Sequence, residues 1–311
     1  MERLQYLCAP GDEGLEVLTL LRREMHLSTN LLRQLKVTEQ GILLDGVRVT
    51  VRQRVRPGQV LSVMREPDSG RERRVEPREG PLDIVYEDAD LMILNKPAGL
   101  AVHPSPGHYD GDTLGNRVVW HLARGGEAPT FRAINRLDRG TSGLMTCAKN
   151  KLAAQRLEEQ LAQKGIRRTY HAVCEGTSLP EHGVIDLPIG RAEGRGIQRQ
   201  VRADGQRAVT HYRVLAEQNG RTLLAIQLDT GRTHQIRVQF SHRGLPLLGD
   251  IRYGSKADCS AALWSYHLAF AHPVTGQTVD VTCPPPAAYP WDLFRQGEEP
   301  RDVLPPAERR R

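Results

Sequence analysis

FRAINRLDRGTSGLMTCAKN, residues 131–150, is where the architecture of this chain first becomes legible. An apolar approach (Phe131, Ala133, Ile134) runs into Asn135-Arg136-Leu137-Asp138, a Gly/Thr/Ser turn follows, and Gly143 to Ala148 is apolar again. That order predicts two core segments joined by a tight loop with Asp138 on it. Asn150 then caps a predicted helix that runs to Lys164, with Leu157 and Leu161 four apart and Gly165 closing it. A carboxylate on a loop between rigid strands is a common way to build a site. Asp138 has a second reading, in which it bonds only the amides of its own turn. Residue chemistry alone leaves the two level.

Upstream, LDIVYEDADLMILNKPAGLAVHPS (82–105) reads as two strands broken at Glu87-Asp88, then a turn over Lys96-Pro97-Ala98-Gly99. Downstream, RTYHAVCEG (168–176) and TLLAIQLDT (222–230) read as strands. Tyr170, Ala172 and Cys174 share one face of the first. A tyrosine there is usually core, but its ring could also stack on a base. In LDTGRTHQIRVQFSHRGLPLLGDIRYG (228–254) a strand ends at Asp229-Thr230-Gly231 and a helix follows, bearing Ile236, Arg237 and Phe240. Arg232 and Arg243 suit solvent. Arg237, between Ile236 and Val238, is expected to have a partner, because burying it alone would be costly. Many turns and few strong helices predict an α+β body around a mixed, largely antiparallel sheet.

The body is expected to span residues 82–295, with a smaller unit over 14–64, a linker over 65–81 and a disordered basic tail over 296–311. EPDSGRERRVEPREGP (66–81) has almost nothing to bury. In the small unit, GLEVLTLLRREM and LSTNLLRQLK predict amphipathic helices, the second capped by Ser28 or Thr29. GILLDGVRVTVRQRVRPGQVLSV predicts strands around an Asp45-Gly46 hairpin turn. Val47, Val49, Val51 and Val55 alternate with Arg48, Arg52, Arg54 and Arg56. An extended run would turn the valines inward and the arginines outward, as a solvated face or a surface that tracks phosphates.

A net charge of +6 permits a nucleic-acid partner without requiring one. Cys8, Cys147, Cys174, Cys259 and Cys283 are scattered and lack metal-ligand spacing, and no HExxH, Walker A or strand–helix GxGxxG pattern occurs. No metal or cofactor is therefore expected. Without a membrane span or a secretory leader, a cytoplasmic protein is expected, by default a monomer.

With those segments quoted, NRLDRGTSGLM resembles the central signature of the RluA-type pseudouridine synthases, whose usual form is HRLDxxTSGLxxxAK. NKPAGLAVHPSPGHYDGDTLGNRV, RRTYHAVCEG, TGRTHQIRVQFSHRGLPLLGDIRYG and HLAFAHPVTG resemble the family's other elements, in its order, over residues 82–285. The N-terminal segment resembles the small S-four type RNA-binding domain. The resemblance implies an enzyme that isomerises uridine in RNA by base flipping and without a cofactor, with ribosomal RNA of the large subunit favoured and transfer RNA as the alternative. It assigns Asp138 as the essential aspartate, Tyr170 as the tyrosine against the base and Arg237 as the aspartate's partner. Ile236 becomes the apolar residue beside it, and Arg136 the arginine inserted near the flipped nucleotide. Arg48, Arg52 and Arg54 would grip RNA from the N-terminal domain. Two positions depart from the pattern: Asn135 replaces a histidine, and Leu263-Trp264-Ser265 replaces LHA. A non-catalytic RNA-binding or assembly factor on the same fold would keep the arginines and lose the aspartate. A methyltransferase or nuclease would need a donor loop or an acidic metal cluster.

Overall fold

The computed structural model describes residues 3–66, 75–104, 111–127, 130–194 and 196–294. The middle of the expected linker and the expected basic tail lie outside the described residues.

The body is built on a 10-stranded sheet. Its strands in chain order are β5 (Ile84–Glu87), β6 (Leu91–Lys96), β7 (Arg132–Ala133), β8 (Ser142–Ala148), β9 (Arg167–Glu175), β10 (His182–Asp186), β13 (Val209–Gln218), β14 (Arg221–Leu228), β15 (Leu263–Ala271) and β16 (Thr278–Thr282), with β11 (Ile189–Arg191) and β12 (Arg199–Val201) forming a separate ribbon. The spatial order is β10-β13-β14-β9-β15-β8-β6-β5, with β16 on β15 and β7 on β8. Every pairing is antiparallel except β8 with β15. The expected α+β class and mixed sheet are thus observed.

The apolar runs follow from the layering. Met92, Leu94, Met145 and Cys147 face one core with Leu114, Val118 and Leu122 of helix α3 (Leu114–Arg124). Leu91, Ile93, Leu144 and Ala148 face another, with Ala153 and Leu157 of helix α4 (Lys151–Ala162). Strands covered on both faces lose polar alternation. Gly143 lies where β8 meets β15: its φ is +99°, and a Cβ there would sit 2.4 Å from the Ser265 carbonyl oxygen. The glycine of TSGLM is therefore required by backbone conformation and by close approach.

The HP element at the end of β15 is also structural. His272 Nδ1 accepts the N–H groups of Val274 and Thr275, so Nε2–H donates to Asp88, at 2.8 Å. Asp88 also accepts from the Tyr86 hydroxyl, while Asp90 pairs with Arg65 and Asn150. Asp88, Asp90 and His272 come close enough together to ligate an ion, but their side chains tie the turn between β5 and β6 to its neighbours.

The strands of the N-terminal unit are β1 (Arg3–Leu7), β2 (Ile42–Leu44), β3 (Val47–Arg48) and β4 (Val60–Met64). Helices α1 (Val17–Arg23) and α2 (Thr29–Val37) cover their antiparallel sheet, ordered β1-β4-β2-β3, and Ser28 caps α2 by accepting the Leu31 N–H. Asp45 and Gly46 both have positive φ, as a two-residue hairpin turn demands. The described structure corrects two expectations. The edge strand β1 lies before residue 14, where the unit was expected to start. The extended valine/arginine strand stops at Arg48. Its partner β2 is three residues long, so beyond it the backbone turns at Thr50–Gln53 and pairs with residues 14–18 instead. Val55 is consequently buried but Val47 is exposed. Arg48, Arg52, Arg54 and Arg56 are all exposed, though Arg54 donates to the Gly14 carbonyl.

This unit sits on α4. Leu152 is buried among the unit's own apolar side chains, and Arg156 donates to the carbonyls of Met25, at 2.7 Å, and Pro273, at 2.8 Å. Glu66, placed in the expected linker, bonds Arg132 and Lys151 of the body.

Candidate active site

Asp138 stands on the loop between β7 and β8, and two features set that loop. The Asp138 carbonyl accepts the Thr141 N–H at 3.0 Å, which closes the turn. From below, Lys96 at the end of β6 is fully buried and donates to the carbonyls of Pro97 (2.7 Å), Leu100 (2.8 Å) and Arg139 (3.3 Å). Gly99 and Arg139 add two bonds between the same loops: Gly99 N–H donates to the Arg139 carbonyl, and Arg139 Nε to the Gly99 carbonyl. Burial pulls the Lys96 ammonium down to about 8, against the opposing charge of Asp138. Lys96 thus accounts for the KPAG turn: one buried ammonium is satisfied by three carbonyls that it draws together from the two loops.

The Asp138 carboxylate is directed by α5 (Gln235–His242). Arg237 Nη1 donates to Asp138 Oδ2 at 3.1 Å. The rest of that guanidinium is held bidentately by Asp250, with Nε at 2.6 Å and Nη2 at 2.8 Å from its two oxygens. The Asp250 and Arg237 side chains are 1% and 11% exposed, so the fork has no freedom to swing away. Hydrogen bonds and charge from Asp250 and Asp138 raise the guanidinium further, against the burial that opposes it. The partner that Arg237 required is therefore two carboxylates, one structural and one facing the cleft.

Asp138 opens onto a cleft of about 430 Å³ lined by Arg136, Tyr170, Leu228, His234, Ile236 and Arg237, among others. Tyr170 is 5% exposed at the base of the cleft, between Ile226 of β14 and Ser265 of β15. Ile236 is buried beside Arg237, and Arg136 is exposed at the rim. Five sequence-selected residues (Asp138, Tyr170, Arg136, Ile236, Arg237) thus converge on one cleft. Arg48, Arg52 and Arg54 do not line it; they belong to the N-terminal unit. Both departures from the family pattern are buried in the body, and Asn135 and Leu263 also line the cleft. Asn135 is buried, and its carboxamide oxygen accepts the Thr146 N–H at 2.8 Å. Trp264 donates its indole N–H to the Cys283 carbonyl and meets Trp291 edge-on.

Four site residues escaped the sequence reading: Lys96, His234, Asp250 and Tyr253. Lys96 carried a usable signal, since a lysine amid LMILNKP is hard to leave exposed. Asp250 and Tyr253 lie in GLPLLGDIRYG, and nothing local there points to Arg237.

The site holds the Asp138 carboxylate in one orientation, in a cleft lined by an aromatic ring and large enough for a planar base. The comparisons agree with that chemistry. A family model described as RNA pseudouridylate synthase matches residues 90–242. An uncharacterized RNA pseudouridine synthase of Bacillus subtilis, YlyB, is 38% identical over 80% of this chain and 84% of its own length. Ribosomal large subunit pseudouridine synthase D of Vibrio vulnificus is 38% identical over 79% of each chain. Among solved structures, human RNA pseudouridylate synthase domain containing 1 superposes with a TM-score of 0.58 at 24% identity, covering 71% of this chain and 94% of its own, which shows a shared fold. The chain belongs to the RNA pseudouridylate synthase family.

Proposed function

We propose that the chain converts uridine to pseudouridine in ribosomal RNA of the large subunit, with Asp138 as the reacting carboxylate. The reaction breaks the bond from ribose C1′ to N1 of uracil and forms one from C1′ to C5. The C5 hydrogen leaves as a proton and N1 gains one, so no oxidant, group donor or water enters the balance. Attack on the sugar, attack on the base and removal of a sugar proton all call on the same ionised oxygen.

The supporting observation is the carboxylate of Asp138, fixed by the doubly anchored Arg237 and open to a cleft floored by Tyr170. Unstacking the target nucleotide costs a few kcal/mol, and stacking on Tyr170 offsets about 1–3 kcal/mol of it. Arg136, exposed at the rim, suits the gap that the uridine leaves. Arg48, Arg52 and Arg54 would add sequence-independent affinity through phosphates, as the resemblance to an RNA-binding domain suggests. The choice of RNA follows the relatives named for the large ribosomal subunit. A monomer suffices, because one chain supplies Asp138, Arg237 and Tyr170.

The test is tritium release from RNA labelled at uridine C5, with separate pools of large-subunit ribosomal RNA and transfer RNA. Release from the ribosomal pool, followed by mapping of the modified site, is the expected outcome. Release from the transfer pool alone would move the substrate assignment, and release from neither would end the enzyme reading.

A further inference from the structure

We propose that His234 is a positioning residue that fixes which oxygen of Asp138 meets the substrate, an inference that rests on the reading of Asp138 above. His234 occupies a left-handed backbone conformation, φ 59° and ψ 22°, at the N-cap of α5. That conformation is uncommon outside glycine. Its side chain is 9% exposed and directed between two groups. Nδ1 lies 2.7 Å from the hydroxyl of Tyr253, and Nε2 lies 3.8 Å from Asp138 Oδ2.

The hydroxyl fixes the tautomer. Tyr253 Oη already accepts the backbone N–H of Arg199, at 3.1 Å. Its own proton needs an acceptor, and among the described residues that acceptor is His234 Nδ1. A neutral ring accepting at Nδ1 carries its hydrogen on Nε2. Burial, assisted by the charges of Arg237 and Arg252, holds His234 below the usual histidine range, while Asp138 and Asp250 oppose this. The ring therefore turns an N–H, not a lone pair, toward Asp138.

Arg237 and His234 both address Oδ2, one at hydrogen-bond distance and the other about an ångström too far. Oδ1 has no partner among the described residues. Bonds of this kind are commonly long in a free enzyme and tighten with substrate bound. His234 closes onto Oδ2 when uridine enters, and Oδ1 is left as the oxygen presented to the nucleotide.

Two measurements test this. The first needs no RNA: nitrogen-15 shifts of the imidazole in the full chain at neutral pH, assigned by loss of the signal in His234→Gln. A neutral Nε2–H ring is expected; an Nδ1–H ring or an imidazolium overturns the assignment. The second is tritium release from a transcript of large-subunit ribosomal RNA labelled at uridine C5. His234→Leu is expected to lower kcat about 10- to 100-fold, the worth of one bond to a charged group, with KM little changed. His234→Gln, whose amide nitrogen replaces Nε2–H, should stay within a few-fold of wild type. Equal losses in both variants, or none in either, overturn the role. If wild type is inactive, the enzyme reading fails on its own, and the nitrogen shifts still decide the orientation of His234.

Discussion

Arg237 and Arg52 carry the same guanidinium and do opposite things with it. Arg237 is buried on α5, with three of its nitrogens committed to two carboxylates. Arg52 stands exposed on the turn of the N-terminal unit, flanked in sequence by Arg48 and Arg54. A buried charge must be answered by partners fixed in place, so the first arginine is an instrument of geometry. An exposed one keeps its solvent and gives long-range, salt-sensitive attraction. In the function proposed above, the buried arginine serves orientation in the cleft and the exposed ones serve affinity outside it.

Breaking the buried site should have the largest effect. Arg237→Met leaves Asp250 buried and uncompensated, which costs about 3–5 kcal/mol of stability. Denaturant unfolding should show the loss, with tritium release abolished. Asp250→Asn keeps the shape and weakens the anchor, so kcat should fall about tenfold or more while RNA binding is retained. Replacing Arg48, Arg52 and Arg54 together by Gln sharpens the contrast. Binding should weaken uniformly across RNA sequences, the slope of log K against log salt should shrink by about 2 to 3, and kcat at saturation should hold. A triple variant with unchanged salt dependence would return these arginines to an ordinary solvated face. Smallest of all, Ser28→Ala removes the cap of α2 and should cost about 1 kcal/mol in thermal unfolding, with kcat untouched.

The same contrast marks how far the sequence could be read. The alternation of Tyr170, Ala172 and Cys174 gave a true strand because β9 has β14 on one side and β15 on the other. The equally regular alternation of valine and arginine after Asp45-Gly46 gave two residues of strand, because its neighbour β2 is too short to continue the ladder. Periodicity reports which side chains suit a pleated surface, not whether a partner strand exists. The site was legible where one residue's chemistry demanded an answer: a carboxylate on a tight loop, and an arginine among apolar residues. What answered Arg237 was invisible, since Asp250 approaches through tertiary packing. His272 shows the reverse case, a motif residue that does not line the cleft and whose bonds pin a turn. The seat of the N-terminal unit on α4 was equally hidden, because Leu152 looks like any helix leucine until its neighbours are known.

In the proposed reaction Asp138 is the reacting group and Arg237 aims it. The most direct test is a single-turnover assay of tritium release with wild type and Asp138→Asn, each first shown to bind the same RNA to the same extent. Release by wild type and none by the variant is expected, at unchanged binding and thermal stability. Release by Asp138→Asn at the wild-type rate would contradict it and return Asp138 to bonding its own turn.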